Sequence, residues 1–406
     1  MTIRTSFSST MNNCLLIFIF ILTTFSCTNP AQQDKEFSFF KEPDVLVKAP
    51  GKREMILRTE RPYNLETPQK YFLQDFTPND VFFVRWHMAD MPEDIDPDTF
   101  RLRVHGHVKQ NLALSLKDLR IRFKPQTVAA LAVCAGNARQ QFKPGVPGVQ
   151  WKNGAMGNAR WTGVPLRDIL EAAGIKSGAY EVAFNGMDDP PLSGTPDFIK
   201  TLPLDRALDG EVLVAYEMNG DTIPMLNGYP LKLVVPGWYA TYWIGMLNEI
   251  KVYNDTFKGF WMQKAYRVPQ GVSNGNETPD SLAQKTEPIH RIALRSLFVS
   301  PEGGSKLIKD QPIEVQGLAF DGGSGIAKVE LSLDSGKTWT AANLDKELGR
   351  YSWRRWRYNW TPDREGMFYL MVKATDINGE TQPMKQWNRS GYMKNEIEQL
   401  PVFVTE

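Results

Sequence analysis

From Phe76 onward the sequence is cut into short apolar runs separated by turn residues, a pattern that excludes a helical bundle. VFFVRWHM (81–88), FRLRVHGHV (100–108), TVAALAVC (127–134), YEVAFNG (180–186), EVLVAYEMNG (211–220), PLKLVVPG (230–237) and LNEIKVYN (247–254) each read as one strand. LSLKDLR (114–120) and PLRDILEAAGI (165–175) read as short helices, the second closed by Gly174. Residues 76–286 are therefore expected to form an α+β domain, with an irregular, Gly-, Asn-, Pro- and Ser-rich stretch over 258–286. After that stretch every candidate element is a strand: RIALRSLFVSP, QPIEVQGLAFD, IAKVELSLD, WRRWRYNWTP, MFYLMVKATD and PVFVTE. Such a series predicts an all-β immunoglobulin-like sandwich over 287–406.

The chain has 406 residues, more than one hydrophobic core usually serves, so two domains are expected. Its net charge of +1 gives no basic field to recruit nucleic acid, and any anion recognition must be local. Cys14–Leu22 is an unbroken apolar run after a stretch whose one charge is Arg4; it is too short to span a bilayer and has the length of a signal-peptide core. Residues 1–27 are thus expected to be a signal segment, with Ser26 before Cys27 resembling a lipoprotein cleavage site, and the product an exported, periplasmic protein. Residues 28–75 are polar and punctuated by proline, as in an extended arm with little regular structure. Ser332–Trp339 spells S-x-D-x-G-x-T-W, a turn that propeller folds repeat once per blade; here it occurs once and is read as structural, Asp334 capping and Trp339 packing.

Of three cysteines, Cys14 leaves with the signal segment and Cys27 is lipidated or removed, which leaves Cys134 as the one usable thiol. It ends the apolar strand TVAALAV and begins Cys134-Ala135-Gly136-Asn137-Ala138-Arg139. Gly136 and Asn137 permit a tight turn there, and the cation at Arg139 favours thiolate. A nucleophile, a redox-sensing thiol and a metal ligand are the functional options. The histidines His87, His105, His107 and His290 offer no local pattern for a base, and a soft thiolate suits a high-valent metal. His105 and His107 share a strand face with no third ligand in view, so they are read as solvent-facing.

C-A-G-N-x-R resembles the molybdenum-ligand loop of the sulfite oxidase family, and the resemblance extends along nearly all of the remaining chain. Phe83-Val84-Arg85-Trp86-His87 is similar to a segment carrying a substrate arginine and a pterin-contacting histidine. Trp151–Ala155 and Asn158–Trp161, with Arg160, resemble the W-x-x-G-A and A-R-W stretch; Ala215–Gly220 and Gly228–Gly237 match the next two signatures. Trp261–Tyr266 resembles the stretch that delivers an active-site tyrosine, and Trp353-Arg354-Arg355-Trp356 a W-R-x-W segment that sends an arginine to the substrate pocket. Two departures from the animal enzymes are visible, Asn227 in place of a histidine and Lys232 in place of an arginine, both at positions that tend to contact the pterin and its phosphate. A lysine often found after V-P-G is also missing from Tyr242–Met246.

The resemblance implies one molybdenum–molybdopterin cofactor held through Cys134, with His87, Asn227, Lys232 and Arg160 as cofactor contacts. It implies Arg85, Arg139, Arg354, Trp151 and Tyr266 around the substrate, with Arg85, Arg139 and Tyr266 in the catalytic step. Sulfite, a small dianion, calls for several fixed guanidinium forks. The implied activity is oxidation of sulfite to sulfate. The sequence carries no C-x-x-C-H haem motif, so the electrons go to an external acceptor such as a c-type cytochrome. The C-terminal sandwich resembles the family's dimerisation domain and implies a homodimer. Two other readings stand beside this one: a periplasmic reductase of methionine sulfoxide on the same fold, and a non-catalytic cell-surface binding protein. A neutral sulfoxide would not need three converging arginines.

Overall fold

The structure, a computed structural model, describes residues 44–270 and 277–406. The expected signal segment, most of the polar stretch before Asp44 and residues 271–276 lie outside the described residues. Val45–Glu406 hold together as one unit.

The sheet that carries the site runs Asp221–Thr222, Leu213–Met218, Met156–Pro165, Gln126–Val133, with Lys232–Val234 also paired to Leu213–Met218. Gln126–Val133 and Met156–Pro165 pair antiparallel from Gln126↔Gly163 to Val133↔Met156. The Met156–Pro165 strand is not foreseen as a strand in the sequence. Buried along nearly its whole length, it lacks the polar alternation that marks a half-exposed strand. A second sheet orders Lys200–Pro203, Glu181–Asn185, Glu249–Tyr253, Leu102–Gly106 and Leu112–Leu114, with Glu249–Tyr253 parallel to Leu102–Gly106.

Helices are few and short, so this part is richer in strand than an α+β domain. The longest among the described residues are Leu116–Arg122 and Leu166–Ala173, of 7 and 8 residues. The first starts on a capping box in which Ser115 and Asp118 satisfy each other's backbone N–H. The second ends where Gly174 adopts φ +69°, a left-handed stop that costs glycine little.

The polar arm is not unstructured. Leu46–Lys48, Glu54–Thr59 and Asn64–Glu66 form a sheet closed by Val84–Arg85. The anchor is Glu66, 1% exposed. Its carboxylate accepts from the backbone N–H of Gly154 (2.6 Å) and Lys152 (3.1 Å) and from Arg58 Nε (2.5 Å), a local network invisible in a polar sequence. Residues 258–286 also contain more order than expected: a helical turn, Phe260–Gln263, and paired strands Arg267–Pro269 and Thr286–Pro288.

The C-terminal part is a sandwich. One sheet is Arg295–Ser300, Ile313–Phe320, Arg354–Trp360, Asn343–Leu344; the other is Lys306–Ile308, Glu398–Thr405, Gly366–Asp376, Ile326–Ser332, Thr340–Ala341. Phe298, Val315 and Trp356 of the first share an apolar core with Leu331, Leu370 and Val402 of the second. The larger core does not stop at residue 287: Ile292, Leu297, Phe320 and Trp353 belong to it, and Phe72 meets Trp353 edge to face at 5.4 Å. At the S-x-D-x-G-x-T-W turn, Asp334 accepts from the N–H and hydroxyl of Thr338, from the Ser332 hydroxyl and from Lys337 N–H, which pull its carboxyl down to about 2.

Glu66→Ala removes the acceptor shared by one guanidinium and two buried amides. Its expected cost is about 3–5 kcal/mol, typical for breaking a buried charged contact, read as a fall in the urea midpoint. A loss under about 1 kcal/mol would mean that the arm is not anchored there.

Candidate active site

Cys134 leaves the end of Gln126–Val133 as its N–H donates to Ala155 O (2.9 Å), and its own carbonyl accepts from Asn137 N (2.9 Å). Asn137 Oδ1 accepts from Ala155 N (3.0 Å), and Ala138 takes a left-handed φ of +64° that turns the chain back. The thiol is 6% exposed and borders a cavity walled by Phe82, Trp161, Phe198 and Trp243 among others. Arg85, His87, Asn227, Lys232 and Tyr266 line the same cavity, so six of the sequence-predicted residues converge from distant segments.

Tyr266 is 5% exposed with φ +53°, a left-handed conformation that costs a tyrosine about 1–3 kcal/mol and is held by its surroundings. Burial pushes its phenol above the usual range, so the hydroxyl keeps its proton. His87 is pushed well below its ordinary value by burial and by the charges of Arg85 and Lys200, so it is neutral. The Tyr266 hydroxyl and His87 Nε2 are hydrogen-bonded to each other. The imidazole stacks on Phe198 at 3.5 Å between ring centres, with Trp261 at its edge. Arg85, in register with Asn64, is steered by Asn64 Oδ1 (3.1 Å) and Trp86 O.

Arg139 stands beside this group, 6% exposed, and does not line the cavity itself. Its Nε donates to Gly391 O (3.0 Å) and its Nη1 to Val149 O (3.1 Å). The guanidinium needs bare backbone on both sides: a Cβ on Gly136 would come within 2.7 Å of Arg139 Cζ, and one on Gly391 within 2.8 Å of its Nε. Tyr392, which the sequence reading overlooked, lies 4.9 Å below Arg139 Cζ and stacks on Tyr266 at 5.2 Å.

Three expected site residues are elsewhere. Arg354 faces the sandwich, where Nε donates to Asp345 O (2.8 Å) and Nη1 to Ile326 O (3.1 Å); its neighbour Arg355 pairs with Asp75 at 2.8 Å. Arg160 is exposed, 4.1 Å from the Phe76 ring, on the outer side of its strand. Trp151 is fully buried core and forms no cavity wall. His105 and His107 are taken up by Glu249 and the Ser177 carbonyl, and no group of metal-ligating side chains was found among the described residues.

The rest of the cavity is charged and hydroxylated. Burial lowers Lys232 to about 8 while Asp188 pulls the other way, and Lys232 Nζ donates to Asn227 O (3.0 Å). Beneath Asn227 lies Lys52, whose ammonium donates to Asn227 Oδ1 (2.5 Å), Asn79 O (2.7 Å) and Phe82 O (3.0 Å). Burial brings Lys52 to about 7. A lysine in a polar arm reads as a surface residue, so nothing in the sequence announced it. The Thr241 hydroxyl lines the cavity, buried and without a partner. An unmet buried hydroxyl costs about 1–3 kcal/mol, which a polar ligand would recover. Thiol, ammonium, amide and unmet hydroxyl around one cavity are a donor set that fits a molybdopterin with its anionic phosphate.

Residues 87–261 match the oxidoreductase molybdopterin-binding domain and residues 286–403 the Mo-co oxidoreductase dimerisation domain. The chain is 33% identical to the sulfite oxidase of Gallus gallus over 90% of its own length and 80% of that protein. It is 32% identical to the mitochondrial sulfite oxidase of Homo sapiens over 86% of its own length, and spans 66% of that longer protein. The fold is also that of the sulfane dehydrogenase SoxCD of Paracoccus pantotrophus, with a TM-score of 0.72 at 22% identity, covering 95% of this chain and 93% of that one.

Asp188 gives this site a pH signature. Burial, with repulsion from Asp197 and Asp189, raises its carboxyl from 3.8 to about 7. Between those values the folded chain holds a proton that the unfolded chain has lost, so this group's contribution falls as pH rises. Asp188→Asn should remove a decline on the order of 2–4 kcal/mol between pH 4 and 7, seen as the wild-type-minus-variant difference in denaturation midpoint. Parallel curves would show that Asp188 does not titrate in that window.

Proposed function

Because the chain belongs to the sulfite oxidase family of molybdopterin-binding oxidoreductases, we propose that it oxidises sulfite to sulfate and hands the electrons to an external acceptor. The observation that supports this most is the placing of one guanidinium, Arg85, and one buried phenol, Tyr266, at the same cavity as Cys134. The overall change is sulfite plus water to sulfate, two protons and two electrons. Bound through the Cys134 thiolate, the cofactor would supply the two-electron oxygen-transfer chemistry. Asn227, Lys232 and Thr241 would hold its pterin and phosphate.

The chain's own residues bind and orient. Arg85 meets the oxyanion with charge-assisted hydrogen bonds, and Arg139 adds its field from the flank. Tyr266 keeps its proton, and its hydroxyl is held in place by its hydrogen bond with neutral His87. Phe198 and Trp261 dry the space around the imidazole, which strengthens these interactions. A c-type cytochrome as acceptor, a homodimer through the C-terminal domain, and an exported setting in which Cys27 is lipidated or removed complete the proposal. They rest on sequence and on the dimerisation-domain match.

Metal and pterin analysis of purified protein, followed by sulfite kinetics with ferricyanide, tests the reading. Arg85→Gln should lower kcat/KM by roughly one and a half to four decades, from about 2–5 kcal/mol for a lost desolvated charge contact, with molybdenum content unchanged. Cys134→Ser should lose both metal and turnover, because a hydroxyl is a hard, weakly acidic ligand. A metal-loaded protein inert toward sulfite would overturn the proposal.

A further inference from the structure

Lys52 reaches the site from a turn of the polar arm. The turn closes as Lys52 N donates to Ala49 O (2.9 Å), around Gly51 at φ +68°, the left-handed place that a type II turn reserves for glycine. Arg53 ties this turn to the segment before Phe82: its N donates to Asp80 O (2.9 Å) and its Nε pairs with the Asp80 carboxylate at 2.7 Å. Lys52 is left 8% exposed, its ammonium donating to Asn79 O, Phe82 O and Asn227 Oδ1. All three of its N–H groups are thereby used, and every acceptor is a neutral oxygen.

Asn227 lines the cavity that Cys134 borders, and its two neighbours decide which way its amide faces. An ammonium cannot accept a hydrogen bond, so the atom against Lys52 is the oxygen. A carbonyl cannot donate, so the atom against Phe83 O, at 3.0 Å, is the nitrogen. One N–H of the amide is left over. Lys232 uses one of its three N–H groups on Asn227 O, and the Thr241 hydroxyl has no partner, so this end of the cavity is rich in unused donors. It is also rich in positive charge. The charge of Lys232 acts on Lys52, while the carboxylate that acts on Lys52, that of Asp80, is already engaged by Arg53. A buried ammonium pair of this kind calls for an anion. A histidine at 227 would bring its own N–H, whereas an asparagine depends on a neighbour to set its direction.

We propose that Lys52 is a positioning residue for the cofactor: it holds the Asn227 amide so that an N–H remains for the anionic end of the pterin, and it thereby ties cofactor retention to the N-terminal arm. This rests on the assignment of Asn227, Lys232 and Thr241 to the pterin and its phosphate made above. Lys52 acts through Asn227 and does not line the cavity itself. The two residues therefore form one unit, and removing either should undo the same contact.

The test uses full-length protein purified with its cofactor and reads pterin and metal, not turnover. Samples taken during dialysis are oxidised to release the fluorescent pterin, and the fraction still on the protein gives the rate of loss; molybdenum content and the urea midpoint are measured on the same preparations. Lys52→Met should lose pterin about tenfold faster or more, a change of about 1.4 kcal/mol. Asn227→Ala should do likewise, and adding Lys52→Met to it should quicken the loss by less than about threefold further, because the pair acts as one unit. Lys52→Gln, uncharged and two bonds shorter, takes the place of Lys52→Met if that variant does not accumulate. Pterin loss within about threefold of wild type in the Lys52 variant, even beside a lowered urea midpoint, makes Lys52 a purely structural residue and overturns the inference. Fully multiplicative effects of the two substitutions overturn it as well. Wild-type protein that holds neither pterin nor molybdenum defeats the earlier reading of the cavity instead.

Discussion

The buried guanidinium of Arg139 is the joint on which the site depends. It follows Cys134 by one turn of chain, yet its strongest bonds go to Val149 and to Gly391, far along the sequence. A charge that deep is tolerated only where acceptors surround it, and here they are backbone carbonyls that cannot turn away. The thiol-bearing turn is therefore fixed by two other loops. Without a side chain on Gly136 or Gly391 there is room for the flat cation between them. The conformation of the Cys134 turn and the docking of the C-terminal segment are in this sense one structural decision.

Around that joint the cavity is divided by chemistry. One end has Tyr266, His87, Phe198 and Trp261, an aromatic cluster with two neutral polar groups locked onto each other. The other has Lys232, Asp188, Asn227 and Thr241, underpinned by Lys52. Lys52 also gives a physical account of the departure seen at 227. An asparagine carries no charge where a histidine could, but its side-chain oxygen accepts a hydrogen bond from a buried lysine of another segment.

Much of this was legible in the sequence because it depends on local chain geometry. A thiol after an apolar strand and before Gly-Asn has to emerge at a strand end, and Cys134 does. Arg85, His87 and Tyr266 were found through ordered motifs, and they do share a cavity. The failures share a different cause. Arg354 sits in a W-R-x-W run that fits a substrate segment as well as it fits a sandwich strand, and only packing decides between them. Glu66, Lys52 and Tyr392 owe their roles to partners far away in sequence, and no spacing rule reports such partners. The Met156–Pro165 strand was hidden for the opposite reason: burial on both faces erased its alternation.

The clamp on Arg139 has a consequence in time as well as in space. Its acceptor at Gly391 lies 252 residues downstream, so during synthesis the Cys134 turn leaves the ribosome without it. At 5–20 residues per second that gap lasts roughly tens of seconds. Throughout that interval the Arg139 guanidinium has Val149 O but not its Gly391 acceptor. A cofactor can be held in finished surroundings only after this late segment has been translated and docked. A chain broken off before residue 391 would present the Cys134 turn without this half of its clamp.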